Sequence, residues 1–393
     1  MKKMFVLLLV FVFLIAFCIY IHGLVTNNRR LIIVPNDYST IQAAINAASE
    51  GDTIFVKSGT YHECILIDKS LFLVGENPKT TIIIGDWRLN GTVVLIHQNN
   101  VSITGFTIQP SYYSYSRRGI HLLHVSYCHV FGNFILNNAI GIWLYGSSEN
   151  NIAGNTIIGP GSDGWNSCGI SVVHSPNNQI SANIIKNNAV GVGLYSSSGS
   201  TVHRNTIINN YDGGIELASD KTNIIGNTIK HNTGDGIRLI GSNNTLRNNQ
   251  ISNNTSNFSL KWEIGWEDST FVNDVDSSNL ADCKPIIYWV NKQDRKVPEN
   301  AAFVALVNCS NILIENLDLT NVGQGVVAVS SVNLTITRIS IQATAQGITI
   351  YRSSGILINN VTINGGSTGV CLVYSSKNTM IDNMLIYGGS GIH

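Results

Sequence analysis

Two sets of residues in this chain have types and spacings that could do chemistry. The first is aromatic: Tyr112, Tyr113 and Tyr115 beside Arg117 and Arg118, then Trp143 and Tyr145 within GIWLYG, then Asp163 and Trp165. Aromatic faces with a few polar groups suit sugar rings, whose C–H faces are apolar while their edges hydrogen-bond. The competing reading is that these rings merely cover the protein's own surface beneath loops. The second set is acidic: Glu216 with Asp235, and Glu263 with Glu267. Such carboxylates could act as general acid and base on a polysaccharide. Arg238 follows Glu216 by 22 residues, and a surface ion pair is the plainer account of that pair.

Other chemistries find less support. Asp212, Asp220 and Asp235 are too scattered for a calcium-binding aspartate cluster. Cys64, Cys128, Cys168, Cys283, Cys309 and Cys371 show no CxxC spacing, which argues against zinc. Cys283 with Cys309 is the preferred disulfide if the chain is exported; the rest read as small buried hydrophobes. With 24 basic against 24 acidic residues, and charged residues only 12% of 393, the chain lacks the cationic footprint of a nucleic-acid binder.

What must position these residues is a repeat. Asparagine occurs 47 times, beside 36 Gly and 7 Pro. Gly followed by Ile or Val recurs at Gly119, Gly141, Gly169, Gly191, Gly214 and Gly236, and again at Gly325, Gly347, Gly369 and Gly391. Asn133, Asn155, Asn183, Asn205, Asn227 and Asn249 keep the same step, usually 22 residues. Apolar residues alternate within the unit, as in Ile142/Leu144 and Val192/Leu194, and period two means strand. A unit this short suits three brief strands and three turns. It can bury its apolar side chains only by stacking on copies of itself.

The expected fold is therefore all-β: a single-stranded, right-handed parallel β-helix of about 22 residues per coil. Ile142, Ile170, Val192, Ile215 and Ile237 should form one interior stack. The asparagines should serve the turns, both by tolerating left-handed backbone and by hydrogen-bonding along a column. Ser39 or Thr40 should cap a short helix bearing Ile41, Ala44, Ile45 and Ala48 on one face, shielding the open end of the core.

The expected division is residues 1–26 as signal peptide or membrane anchor and 31–393 as the β-helix. Within the latter, 31–110 holds the cap and first coils, 111–254 regular coils, 255–310 elaborated coils and 311–393 regular coils. The apolar run Met4 to Ile21 follows Lys2 and Lys3, so either fate puts the rest outside the cytoplasm. Nine N-x-S/T sites, Asn90 and Asn360 among them, agree with export. The closing GGSGIH opens another coil, as would a truncated chain or one that pairs end to end.

The segment from IVPNDYSTIQAAINAASEGDTIFVKSGTY onward, with coils carrying GNTI and GI-x-L, resembles the NosD-like group of right-handed parallel β-helix proteins. That group falls within the pectin-lyase-like superfamily of carbohydrate-binding and sugar-hydrolase type. The resemblance covers nearly everything from Leu31 onward. It implies fold firmly and function loosely, because the fold hosts binders, lyases, hydrolases and esterases. The namesake implies help in maturing a copper enzyme, and copper enters as a cofactor by that resemblance alone. His121, His124 and His129 fall on an outward strand position, a turn and the next face, so the residues themselves suggest no cofactor.

The preferred reading is an exported or cell-surface β-helix that binds polysaccharide or another surface polymer without catalysis. Its candidate ligand residues are Tyr112, Tyr113, Tyr115, Arg117, Trp143, Tyr145, Asp163 and Trp165. The irregular loops before Gly119 and Gly169 should flank the strand of Trp143 and Tyr145, framing a groove about 10 Å wide. A polysaccharide lyase or glycoside hydrolase is the second reading, and a copper-enzyme accessory protein the third. No metal site is assigned, and the membrane is a partner only through an uncleaved N-terminal segment.

Overall fold

The structure is a computed structural model that describes residues 29–86, 91–112, 117–161, 167–261, 267–386 and 390–392. The apolar run at residues 4–21 lies outside them, and so do Tyr113, Tyr115, Asp163, Trp165 and Glu263. Among the described residues no helix is long and apolar enough to cross a membrane.

Each regular coil supplies three short strands. One coil runs Ile140–Tyr145, Asn151–Ala153 and Thr156–Ile158; the next runs Cys168–Val173, Gln179–Ser181 and Ile184–Lys186. Equivalent strands pair in parallel, coil upon coil, building three sheets along the stack. The first sheet joins 11 strands beginning with Leu31–Val34, and the second joins 9 running from Ile65–Ile67 to Ser256–Leu260. The 28-residue step is absorbed outside the strands, so Ile142 still lies opposite Ile170. Ile142, Ile170, Val192, Ile215 and Ile237 are at most 1% exposed and follow one another in register. This is the interior stack that the alternation predicts. The repeated glycine sits where chains crowd: a Cβ on Gly191 would lie 2.4 Å from the Ile207 Cγ2 and 2.6 Å from the Gly214 carbonyl oxygen.

The turns show both roles expected of asparagine: Asn187, Asn209 and Asn248 take left-handed backbone, and Asn188, Asn210 and Asn249 follow them as buried ladder residues. Left-handed backbone and the hydrogen-bonded column belong to adjacent residues, not to the same asparagine. Gly154, Ala182, Arg204, Gly226 and Asn248 take the positive φ, and Asn155, Asn183, Asn205, Asn227 and Asn249 follow them as buried ladder residues. In the ladder, the Asn205 backbone N–H and its Nδ2 both donate to the Asn227 Oδ1, at 3.0 Å each. The Asn205 Nδ2 also donates to the Ile180 carbonyl at 2.9 Å. A side-chain amide supplies both a donor and an acceptor. Such a group can pair two backbone strands at a corner where they no longer meet directly, and serine hydroxyls do the same in the column of Ser175, Ser197 and Ser219.

At the N-terminal end, helix Ile41–Ala47 lies over the core with Ile41, Ala44 and Ile45 buried. The Thr40 hydroxyl accepts from the Ala43 N–H at 3.2 Å, and the Glu63 carboxylate accepts from the Ile41 and Gln42 N–H groups at 2.9 Å each. Further along, the stack is dislocated. After Ser256–Leu260 comes a 3-10 turn, Asp268–Phe271, then the short strands Asp274–Val275 and Leu280–Ala281. Asp282 and Cys283, both at positive φ, reverse the chain. Lys284–Val290 runs antiparallel to Leu280–Ala281 and pairs in parallel with the buried strand Phe303–Val307, starting a second run of coils. The expected disulfide does not form. Cys283 is exposed at that reversal, whereas Cys309 is buried above Ser331 in a ladder column and directs its thiol to the Trp289 carbonyl at 3.4 Å.

Candidate functional site

The outward face of the second sheet carries most of the chemistry in the regular coils. Strand register sets His121, Trp143, Ser171, Gly193, Glu216 and Arg238 in one file along the stack. On one side of it lie Leu123, Tyr145, Val173, Tyr195 and Ala218; on the other, Arg118, Ile140, Cys168, Val190, Gly213 and Asp235. Alternation puts these side chains outside because their neighbours, Ile142 and Leu144 among them, are committed to the core.

One end of the file is aromatic. The His121 ring stacks on Trp143 with centroids 4.3 Å apart and planes inclined by 17°. The Arg118 guanidinium also lies over Trp143, 4.3 Å from its centroid, in cation–π range. Tyr145 tilts against Trp143 at 5.4 Å and meets His124 and His174 edge-on at 5.6 and 6.2 Å. Trp143 and Tyr145 are half-buried, but His121 is only 7% exposed and its Nε2 has no hydrogen-bond partner. Burial first, then the charges of Arg118 and His124, lower the His121 pKa to about 4. The imidazole is therefore neutral at physiological pH.

The other end is polar. The Tyr195 ring covers Gly193, whose missing Cβ would fall 2.7 Å from the ring. Its hydroxyl donates to Glu216 at 3.3 Å. Arg238 Nε donates to Asp235 at 2.7 Å, and Arg238 Nη1 stands 4.0 Å from Glu216. Burial, followed by the neighbouring Cys168 and Glu216, pushes the Tyr195 phenol well above its usual range, so it remains a donor. Burial likewise pushes the Cys168 thiol up to about 12, which leaves it inert as a nucleophile at neutral pH.

The residues expected to bind a ligand are distributed as follows. Trp143 and Tyr145 point outward from one strand. Tyr112 is 53% exposed at the corner before it. Arg117 is 3% exposed, its guanidinium 4.4 Å from the Tyr112 ring centroid and bonded to the Asp86 carbonyl. It braces the corner instead of presenting a charge. Tyr113, Tyr115, Asp163 and Trp165, in the loops expected to flank the groove, lie outside the described residues. Tyr195 is an addition, and Arg118 and His121, noted in the sequence but not counted among the ligand residues, join it. Their signal was present, since all three fall on outward positions beside Trp143 or Glu216 once the repeat is aligned. Of the other acidic pair, Glu263 lies outside the described residues, and Glu267 stands 3.9 Å from Arg352. His129 is exposed on the first sheet, away from His121, and among the described residues no three metal-ligating side chains gather.

Comparison with known proteins bears on the fold. The family profile of the right handed beta helix region matches residues 27–199, 118–274 and 287–393. Among solved structures, the chain is similar to a pectin methylesterase in complex with a hexasaccharide, at 12% identity and TM-score 0.40, over 53% of this chain and 81% of that one. It is similar to the catalytic domain of a GH87 α-1,3-glucanase in complex with nigerose, at 13% identity and TM-score 0.43, over 92% and 68%. An alginate lyase from Paenibacillus sp. aligns at 12% identity and TM-score 0.34, over 89% and 95%. No curated protein matches the sequence.

Proposed function

The chain belongs to the right-handed β-helix family, whose stacked coils turn one sheet face into a continuous strip, and on that premise we propose that it binds a polysaccharide along the outward face of its second sheet. The observation that carries this reading is the ladder of planar groups at Trp143, where a neutral imidazole, a guanidinium and a tyrosine gather around one half-buried indole. Such a surface offers apolar faces for sugar C–H groups with hydrogen-bonding edges beside them. A strip that repeats every coil, at roughly 4.8 Å, suits a polymer better than a compact ligand. In this reading the protein works outside the cytoplasm, tethered or released according to the fate of residues 1–26, and what supports that is the apolar run behind Lys2 and Lys3.

The binding is non-catalytic in this proposal. Glu216 and Asp235 both face the Arg238 guanidinium, at 4.0 and 2.7 Å, and a surface ion pair accounts for both carboxylates. The test is a glycan-array screen of the full chain, followed by titration of Trp143→Ala with the oligosaccharide the screen returns. Loss of one aromatic platform should weaken binding several-fold to tenfold, about 1 kcal/mol or somewhat more. Unchanged affinity at matched thermal stability would remove this site. Release of reducing ends or unsaturated products would instead assign Glu216 and Asp235 a catalytic task.

A further inference from the structure

The file of outward residues does not end at Trp143. Four coil steps separate Trp143 from Arg238, through Ser171, Gly193 and Glu216. At coil spacing that is about 19 Å. The two middle positions, Ser171 and Gly193, are the smallest on the strip, and both are buried. The Tyr195 ring lies over Gly193 and aims its hydroxyl at Glu216. Beyond it a shallow cleft is lined by Asp212, Gly213, Glu216, Asp235 and Arg238.

Charge decides what this half can hold. Three carboxylates, Asp212, Glu216 and Asp235, surround a single guanidinium, so the polar end carries excess negative charge. A uronic-acid polymer would set like charges against them in a half-buried site, which is unfavourable. Uncharged sugar hydroxyls, by contrast, can donate to the carboxylates and accept from Arg238 and Tyr195. At the aromatic end a separate observation points to a ligand: the buried His121 Nε2 beneath Trp143 lacks any partner. Buried polar groups are nearly always satisfied; this nitrogen is enclosed, so a sugar hydroxyl beside Trp143 would supply the missing bond only as the side chains around it shift on binding.

We infer that the strip from Trp143 to Arg238 is one extended site for a neutral, non-uronate glycan lying along the stack, with Tyr195, Glu216 and Arg238 as a second hydrogen-bonding subsite that selects against acidic polymers. This rests on the binding reading above and deepens it.

The experiment is calorimetric titration of the full chain with laminarihexaose, mannohexaose, hexagalacturonate and hexamannuronate, and with the trisaccharide of whichever neutral hexasaccharide binds. One neutral hexasaccharide should bind, both uronates should bind at least about tenfold more weakly, and the trisaccharide should also lose about tenfold. Glu216→Gln keeps the shape of the side chain. It should weaken the hexasaccharide about fivefold while leaving the trisaccharide unchanged, whereas Trp143→Ala should weaken both. Arg238→Gln, scored against its own melting temperature, repeats the test from the other side of the ion pair. Tighter binding of a uronate, or a hexasaccharide indifferent to both Glu216→Gln and Arg238→Gln yet sensitive to Trp143→Ala, would overturn the extended site and leave the aromatic one standing. If none of the four hexasaccharides binds, the binding reading itself falls, and this inference with it.

Discussion

His121 shows how a residue's neighbours decide its chemistry. Pressed between the sheet and Trp143, the ring is kept neutral by burial, with Arg118 and His124 opposing its protonation further. Its pKa falls from 6.5 to about 4. Between those values the unfolded chain takes up a proton that the folded chain refuses. Stability is then full above about pH 6.5 and declines as pH falls towards 4, by on the order of 3 kcal/mol at most. His121→Phe keeps a stacking ring and removes the titration. Thermal melts from pH 7.5 to 4.5 should show a smaller loss of Tm in the variant than in the wild type, and parallel curves would contradict this. The outward placement of His121, Trp143 and Tyr145 was legible in the sequence, because alternation fixes the face of every strand residue. The stacking was not legible, because which neighbour a side chain leans upon depends on rotamers that periodicity does not encode.

At the scale of strand and turn, buried hydrogen bonds hold the corners as apolar contact holds the rows. Asn205 is 1% exposed, and its amide serves the Asn183 N–H, the Ile180 carbonyl and the Asn227 Oδ1. Asn205→Ala strands those groups without water, and each buried unsatisfied group costs roughly 1–3 kcal/mol. A loss of about 3 kcal/mol in chemical denaturation is expected, and a loss below about 1 kcal/mol would mean the ladder is ornamental. Val192 is fully buried in the second-sheet row, so Val192→Asp would bury a carboxylate with no partner. A marked fall in Tm should follow, and a neutral result would contradict the inward orientation seen here. The two sequence columns of Gly and Asn predicted the coil and its register correctly. They could not divide labour at the turns, since Asn tolerates left-handed backbone as well as it fills a ladder; Asn187, Asn209 and Asn248 take the left-handed position at some corners and Ala182 and Arg204 at others.

At the scale of the molecule, the described residues form a quasi-one-dimensional stack with one dislocation, and its cooperativity depends on how well that joint transmits. In such arrays stability is close to a sum of coil terms and nearest-neighbour interfaces, so a weak interface splits the transition. The sequence revealed a break in period near this point but not its joint, because the contacts cross many residues of chain. The joint has three components. Phe258 and Phe303 meet edge-to-face at 5.0 Å in the interior. The turn at Asp268–Phe271 lies against the second run of coils, with Arg352 bonded to Asp268 at 3.2 Å and the Tyr288 hydroxyl donating to the Phe271 carbonyl. Gln324 substitutes for a strand: its Oε1 accepts from the Leu260 N–H at 3.0 Å and its Nε2 donates to the Leu260 carbonyl at 2.8 Å. Gln324→Ala removes both bonds at a buried site and leaves the Leu260 backbone unpaired, costing roughly 2–3 kcal/mol. That cost falls on the interface and on neither stack alone. Calorimetry should therefore resolve one transition in the wild type and two, or one visibly broadened, in the variant. Hydrogen exchange should show faster opening in the strands flanking the joint, Ser256–Leu260 and Phe303–Val307, than in the coils around Val192. A single sharp transition shifted uniformly downward would mean that the apolar contact alone couples the two runs, with Gln324 only one more buried amide.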